Sequence, residues 1–189
     1  LEMATMPVQH PVYFFARAEH PLRQSPTSVR AADVLTWPFA SPSRIPPRVL
    51  DPLLNAHREG SSRLPAAPPF PAIECHGLAP VKRLVAASNT VSASILPCIA
   101  EELDSGRFTL LATTPWLSLQ FGLISLRGRP WTQTAEALRE LVVDAEREAT
   151  QLERRLIAEH APGVRARRAR ARRVARPARS PATARPAKG

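Results

Sequence analysis

The chain has little glycine, few aromatic side chains and almost no cysteine, and each shortage closes off a class of function. Aromatic residues make up 5% of the sequence, too few for the exposed stacking platform on which single-stranded nucleic acid is held. The seven glycines form no nucleophile elbow, no phosphate-binding loop and no dinucleotide fingerprint. Two cysteines, Cys75 and Cys98, cannot make a disulfide framework and form no Cys-x-x-Cys pair, which fits a reducing compartment. No uninterrupted apolar run is long enough to span a membrane: the stretch 108–126 is broken by Thr113, Thr114, Pro115, Ser118, Gln120 and Gly122. The opening residues carry no secretory pattern, and a chain that starts at Leu1 rather than Met reads as a fragment or a processed product.

What is present is enough for one domain and a tail. Apolar residues reach 44% of the 189 positions, so a core is feasible, and proline is frequent at 21. The net charge of +10 is confined to one end. Residues 161–189 hold nine Arg and Lys188 and no acid, which leaves sixteen basic and sixteen acidic side chains in residues 1–160. The body is therefore charge-balanced, and the high isoelectric point belongs to the tail.

Along the chain, short β-rich runs alternate with helical ones. Pro11-Val12-Tyr13-Phe14-Phe15-Ala16 reads as a strand, 28–35 as a short helix ended by Trp37-Pro38, and 37–40 as a strand. After the loop Ser41-Pro42-Ser43-Arg44, two helix starts compete. Pro46 opens one that Pro52 would kink, whereas Asp51 caps a second, with Pro52 at its first position and Gly60 ending it. The pattern favours a short first turn followed by the Asp51-capped helix. Residues 61–71 are a Pro- and Ala-rich connector. Strands follow at 72–75, 91–96, 108–111 and 121–126, with helices at 78–87 and 97–103 and a turn at Arg127-Gly128-Arg129-Pro130. This alternation predicts an α/β layer with a mainly parallel sheet covered on both faces.

A long helix is expected over 132–160. Thr132 or Thr134 starts it with Glu136 downstream, and Leu138, Leu141, Ala145, Ala149, Leu152 and Leu156 form one stripe destined for the sheet. The Ala-, Arg- and Pro-rich tail, broken by Pro177, Pro181 and Pro186, is expected to be disordered.

Several of these motifs carry a resemblance in their order and spacing. Phe14-Phe15-Ala16-Arg17-Ala18-Glu19-His20-Pro21-Leu22, Ala32-Asp33-Val34-Leu35-Thr36-Trp37-Pro38, Val85-Ala86-Ala87-Ser88, Ile95-Leu96-Pro97 and Glu102-Leu103-Asp104-Ser105-Gly106-Arg107 occur in that order. Phe121-Gly122-Leu123-Ile124 and Arg127-Gly128-Arg129-Pro130 follow. Over 7–147 the chain resembles the C-terminal effector-binding domain of bacterial LysR-type transcriptional regulators. The resemblance implies a periplasmic-binding-protein-like (type 2) fold of two α/β subdomains joined by crossing strands. On that reading, 7–114 is most of the second subdomain, 115–160 is the crossover strand and C-terminal helix of the first, and 161–189 is the tail. The family's winged helix-turn-helix, its linker helix and the first half of the first subdomain have no counterpart here, so the chain resembles an N-terminally truncated member.

The candidate ligand residues follow from that placement. Effectors in this fold sit where helix N-termini and strand-end loops converge on the cleft between subdomains. Ser41, Pro42, Ser43 and Arg44 follow a strand and precede a helix, so hydroxyls, backbone N–H groups and the helix dipole can hold a carboxylate; equally, the serines cap and turn the chain. Asn89 and Thr90 lie at a strand entrance, with Asn89 also suited to a left-handed helix cap. Thr113 and Thr114 fall near the crossover, where they touch a ligand or satisfy strand ends.

No catalytic or metal residue emerges from the sequence. Cys75 and His76 are adjacent on a strand and point to opposite faces, and no further Cys or His stands at ligand spacing. His10, His20, His57 and His160 are scattered without acids to orient a base. The expectation is a non-enzymatic, cytoplasmic sensor without cofactor. Its partners would be a small-molecule effector, such as a small organic anion, and further copies of itself. DNA would be reached only through the absent head, or non-specifically through Arg165–Arg176 of the tail, and no membrane is expected. The alternatives are a fragment of a periplasmic solute-binding protein and a polyanion binder driven by the tail, the latter tested by deleting 161–189.

Overall fold

A computed structural model of the protein describes residues 1–25, 29–62, 64, 66, 68–128 and 130–161. The elements run β1 (Glu2–Thr5), β2 (His10–Arg17), α1 (Ala31–Val34), β3 (Ala40–Ser41), α2 (Pro47–Ser61), β4 (Ile73–Glu74), α3 (Leu78–Ala87), β5 (Ser92–Ile95), α4 (Ala100–Asp104), β6 (Phe108–Leu119), β7 (Gly122–Ser125) and α5 (Gln133–His160), with 3₁₀ turns at Pro21–Gln24 and Leu96–Ile99. The basic tail beyond Ala161 and the expected helix start at Ser28 lie outside the described residues.

β2 organises the fold because its side chains serve two cores at once. Val12, Phe14 and Ala16 enter one cluster, and Tyr13 and Phe15 enter the other, as the two-residue period of a strand requires. Burial on both faces explains why this strand is continuously apolar rather than alternating. Val34, Leu35 and Leu53 from the α1–α2 side cover the first face with Phe39 and Leu111. Val81, Val85, Leu96, Ile99, Leu103 and Leu156 cover the second with Phe108. Helices therefore flank the sheet on both sides, as expected for this α/β class.

The sheet itself is mixed, which corrects the mainly parallel expectation. β2 runs antiparallel to both its neighbours, β5 and β6. β3 pairs parallel with β4, and a parallel bridge joins Phe39 to Val91 just ahead of β5. Apolar composition reports that a strand is buried on both faces but not which way its neighbours run. β6 also continues past the expected stop at Leu111, through Pro115 to Leu119. Its ladder with β2 skips register between Pro11 and Tyr13, opposite Pro115, so the missing N–H of that proline falls where regular pairing lapses. β1, for which the sequence carries no strand signal, pairs antiparallel with β7 as a separate ribbon.

The helices show a second set of differences. α2 is one helix from Pro47 with Pro52 inside it, not a turn followed by an Asp51-capped helix. Gly60 does not end it. A Cβ there would stand 2.0 Å from the Ala32 carbonyl oxygen, so the glycine is needed for α2 to lie against α1. The segment expected as a helix over 97–103 is a 3₁₀ turn leading into α4, closed by Gly106 at φ +73°. α5 starts where expected, with the Thr132 hydroxyl accepting from the Ala135 N–H at 3.2 Å. Its apolar stripe divides: Leu156 is fully buried and Leu152 packs beside it, but Leu138 is 60% and Leu141 68% exposed. Only the last turns of α5 rest on the sheet.

Candidate functional site

β3, β5 and β6 all run the same way, since β3 and β5 are linked in parallel and β5 and β6 both oppose β2. The carboxyl end of the layer therefore gathers Ser41, Ile95 and the Thr113–Thr114 stretch, with Ser94 and Thr113 both paired to Tyr13. The opposite end holds Arg17, Asn89, Thr90 and Phe108. This geometry places the sequence-derived candidates toward two different ends of the layer.

At the carboxyl end, the loop after β3 is fixed by its own backbone. The Ser41 carbonyl accepts from the Cys75 N–H at 2.9 Å, and the Pro42 carbonyl accepts from the Gly77 N–H at 2.8 Å. The buried Ser41 hydroxyl donates to the Ser43 carbonyl. Ser43 and Arg44 are exposed, and Arg44 makes no ion pair among the described residues. The following helix offers less backbone than an ordinary N-terminus, because Pro46 and Pro47 carry no N–H, and those of Val49 and Leu50 donate to the Pro46 carbonyl. The N–H of Arg48 and the helix dipole remain. Thr113 is outward, and its hydroxyl donates to the Val12 carbonyl at 3.0 Å.

At the other end, structural roles absorb the polar groups. The Asn89 side-chain oxygen accepts from Arg17 Nε at 3.2 Å and Nη2 at 2.9 Å, and its carbonyl accepts from His20 Nε2 at 3.1 Å. Burial holds the His20 imidazole below its ordinary value, so it serves here as a neutral donor. Thr90 is buried, and its hydroxyl oxygen accepts from Ser88 Oγ at 2.8 Å. Among the described residues no non-glycine takes a positive φ, so the left-handed cap expected of Asn89 does not form; Ser88 ends α3 in extended geometry instead.

A cavity of about 460 Å³ opens beside the Thr114–Trp116 part of β6. Arg30, Asn55, Glu59, Thr114 and Trp116 supply its polar and aromatic wall, and Ala31, Ala32, Pro52 and Ala56 its apolar floor. The buried Thr114 Oγ1 has no hydrogen-bond partner. Arg30 is bound to Glu59 at 2.9 Å and to Asp33 at 3.4 Å, so this wall is not a free cationic surface. Of the eight sequence-derived ligand candidates only Thr114 lines it; Ser41, Pro42, Ser43, Arg44, Asn89, Thr90 and Thr113 do not.

The largest departure from the sequence reading is His10, which does have acids to orient it. It is the first residue of β2 and is wholly buried. Its Nε2 lies 2.8 Å from Glu146 Oε1 and its Nδ1 3.2 Å from Glu153 Oε2. The two acids stand 136 and 143 residues away along the chain, so no local pattern reveals them. A histidine ahead of an apolar strand, and two glutamates seven apart on one helix, are each unremarkable alone. His160 has acid neighbours too: Asp104 at 3.3 Å and Glu159 at 3.8 Å. These three could hold a metal ion. Arg155 binds both Asp104 oxygens, at 3.1 and 2.8 Å, and already supplies the cluster's cation.

No family model matches the chain. A curated relative, the SDS degradation transcriptional activation protein of Pseudomonas sp. (strain ATCC 19151), is 33% identical over 138 residues, which is 71% of this chain and 42% of the relative. The chain thus spans less than half the length of that protein. Solved structures share its architecture at low identity. The regulatory domain of CcmR from Synechocystis PCC6803, in complex with 2-PG, superimposes with a TM-score of 0.53 at 13% identity, over 77% of this chain and 67% of that one. The effector domain of the transcriptional regulator AmpR of Pseudomonas aeruginosa gives 0.52 at 19% identity, over 79% and 68%. Full-length HypT from Salmonella typhimurium, a hypochlorite-specific LysR-type transcriptional regulator, gives 0.52 at 13% identity, over 78% and 47%.

Proposed function

We propose a ligand-sensing role from one premise: this chain has the effector-domain fold of LysR-type transcriptional regulators. On this reading it binds a small molecule, a small organic anion being the class its exposed cation favours, and converts occupancy into a change of domain shape that regulates transcription. Such coupling requires the ligand to prefer one of two arrangements, so the site belongs where the layer meets the crossover strands. Residues 7–114 are assigned to the second subdomain and 115–160 to the crossover and closing helix of the first. DNA contact and assembly with further copies belong to the whole regulator.

The observation that carries the reading is the loop after β3. It lies at the carboxyl end of the strands, its backbone is pinned by Cys75 and Gly77, and it presents Ser43 and an unpaired Arg44 ahead of α2. Pinned backbone and a free guanidinium provide anion recognition at low ordering cost. Ser41 and Pro42 shape the loop, Thr113 lies at the same end of the layer with β5 and β2 between it and the loop, and Asn89 and Thr90 act structurally at the far end. The regulator reading is favoured over a solute-binding protein because the curated relative is a transcriptional activation protein.

Calorimetric titration with a panel of small organic acids tests the assignment. At least one should bind, and Arg44→Ala should weaken it about tenfold, as loss of one charge-assisted contact does, while Asn89→Ala leaves it unchanged. Binding that survives Arg44→Ala, or falls equally with Asn89→Ala, would place the site elsewhere.

A further inference from the structure

His10 sits where the strand from the crossover enters the sheet, and α5 reaches it with two carboxylates. Glu146 and Glu153 are seven residues apart, two helical turns, so they lie on one face about 10 Å apart along the axis. Their side chains converge on opposite nitrogens of one imidazole. The Phe121 ring, 5.6 Å away between centroids, closes the third side. Below this point α5 is docked, through Leu152, Leu156 and Ile157; above it, Leu138 and Leu141 face outward. The contact thus marks the boundary between the bound and unbound halves of the helix.

A carboxylate only accepts hydrogen bonds, so both contacts are made together only when both ring nitrogens carry protons. We propose that His10, Glu146 and Glu153 form a proton-dependent clamp: the imidazolium ties the middle of α5 to the start of β2, and losing one ring proton frees one carboxylate and loosens the helix. A neutral ring would turn an unprotonated nitrogen's lone pair toward a carboxylate lone pair beside the buried imidazole, and that repulsion is what opens the clamp.

The titration behaviour of the cluster agrees in sign. Burial alone would lower the His10 imidazole, but the Glu146 hydrogen bond and the Glu153 charge outweigh it, and the group ends above its ordinary value of 6.5. Its stabilisation is then complete below the unfolded-state value and is lost as pH rises through the raised one. Burial raises the Glu153 carboxyl, with His10 only partly offsetting it, so its cost likewise grows as pH rises. One Glu153 oxygen, Oε1, is buried without a partner, which adds to the cost of holding the ionised carboxylate there. The other titratable group facing the cluster is Tyr13 on β2, whose phenol is raised by burial and then by the Glu153 charge, and so stays neutral across this range. Phe121 contributes no charge.

Hydrogen exchange of the full chain at low concentration between pH 6 and 9, corrected for intrinsic rates, reads the clamp directly. Protection of α5 around 146–157 should fall about fivefold or more, relative to β2 and β5, as pH rises through the His10 titration. Glu146→Gln, at the partly accessible end of the contact, should flatten that dependence; His10→Gln should abolish it and leave α5 weakly protected at every pH. Should His10→Gln fail to fold, ring-resonance titration of the parent chain decides, with His10 expected to titrate above 6.5. Parallel pH dependence of α5 and the sheet, an unchanged profile in Glu146→Gln, or a His10 value below 6.5 would overturn the clamp.

Discussion

Gly60 shows how one missing side chain sets the approach of two helices. An added Cβ would stand 2.0 Å from the Ala32 carbonyl oxygen and 3.0 Å from Thr36 Cγ2. The first of these neighbours is backbone and cannot rotate away. Helix propensity favours alanine over glycine by about 1 kcal/mol, whereas forcing atoms into a packed contact costs about 1–3 kcal/mol or more. The contact term wins. Gly60→Ala is expected to destabilise the chain by roughly 1–2 kcal/mol net, seen as a lower denaturant midpoint with unchanged slope. An alanine variant at least as stable as the parent would mean that α2 does not lie this close to α1. From the local sequence Gly60 is expected at the helix end, a usual position for glycine. Nothing local distinguishes a capping glycine from one required by a neighbouring backbone about 28 residues earlier.

At the scale of elements, α5 is held by two tethers of opposite pH sense. The buried His10 contact weakens as pH rises. On the surface, the Arg155 hydrogen bond keeps the Asp104 carboxyl below its usual value, with His160 adding to it, so that link is present above the ordinary carboxylate range and is lost only as pH falls through the depressed value. Both tethers and the buried Leu156 lie from the middle of the helix onward. Leu156→Ala should therefore cost about 2–5 kcal/mol, the range for emptying a packed leucine site, and Leu141→Ala should cost close to nothing by chemical denaturation. Equal losses at the two positions would show the stripe buried along its whole length. The 3.6-residue period made the helix and its stripe legible, together with the Thr132 cap, because those are local properties. Which half of the stripe is covered depends on what the rest of the chain places beside it. β1 was illegible for the same reason: Glu2-Met3-Ala4-Thr5 is exposed and unpatterned, and it is a strand because β7, 120 residues on, supplies its partner. The loop after β3 was legible from its serines and prolines, but the division of the site candidates between two ends of the layer needed the strand directions.

At the scale of the molecule, balanced charge and uneven covering combine. Residues 1–160 carry equal numbers of acidic and basic side chains, so net repulsion does little to keep copies of this region apart. Leu138 and Leu141 stand one turn apart on the outer face of α5, and Met3 and Ile124 project from the β1–β7 ribbon. Exposed leucines paired along a helix are apolar surface that water disfavours by about 25 cal/mol per Å², and surface of this kind is removed by covering it. At rising concentration the chain should self-associate through α5. Replacing Leu138 and Leu141 together by Glu breaks the patch without touching either core cluster, and puts like charges beside Glu140 that disfavour close approach of two such helices. The double variant should sediment as a smaller species than the parent at the same concentration, with a denaturation midpoint in dilute solution within about 0.5 kcal/mol of it. If the parent is already monomeric at high concentration, or if the double variant unfolds, the first half of α5 is packed in solution and its exposure in the fold described above is wrong.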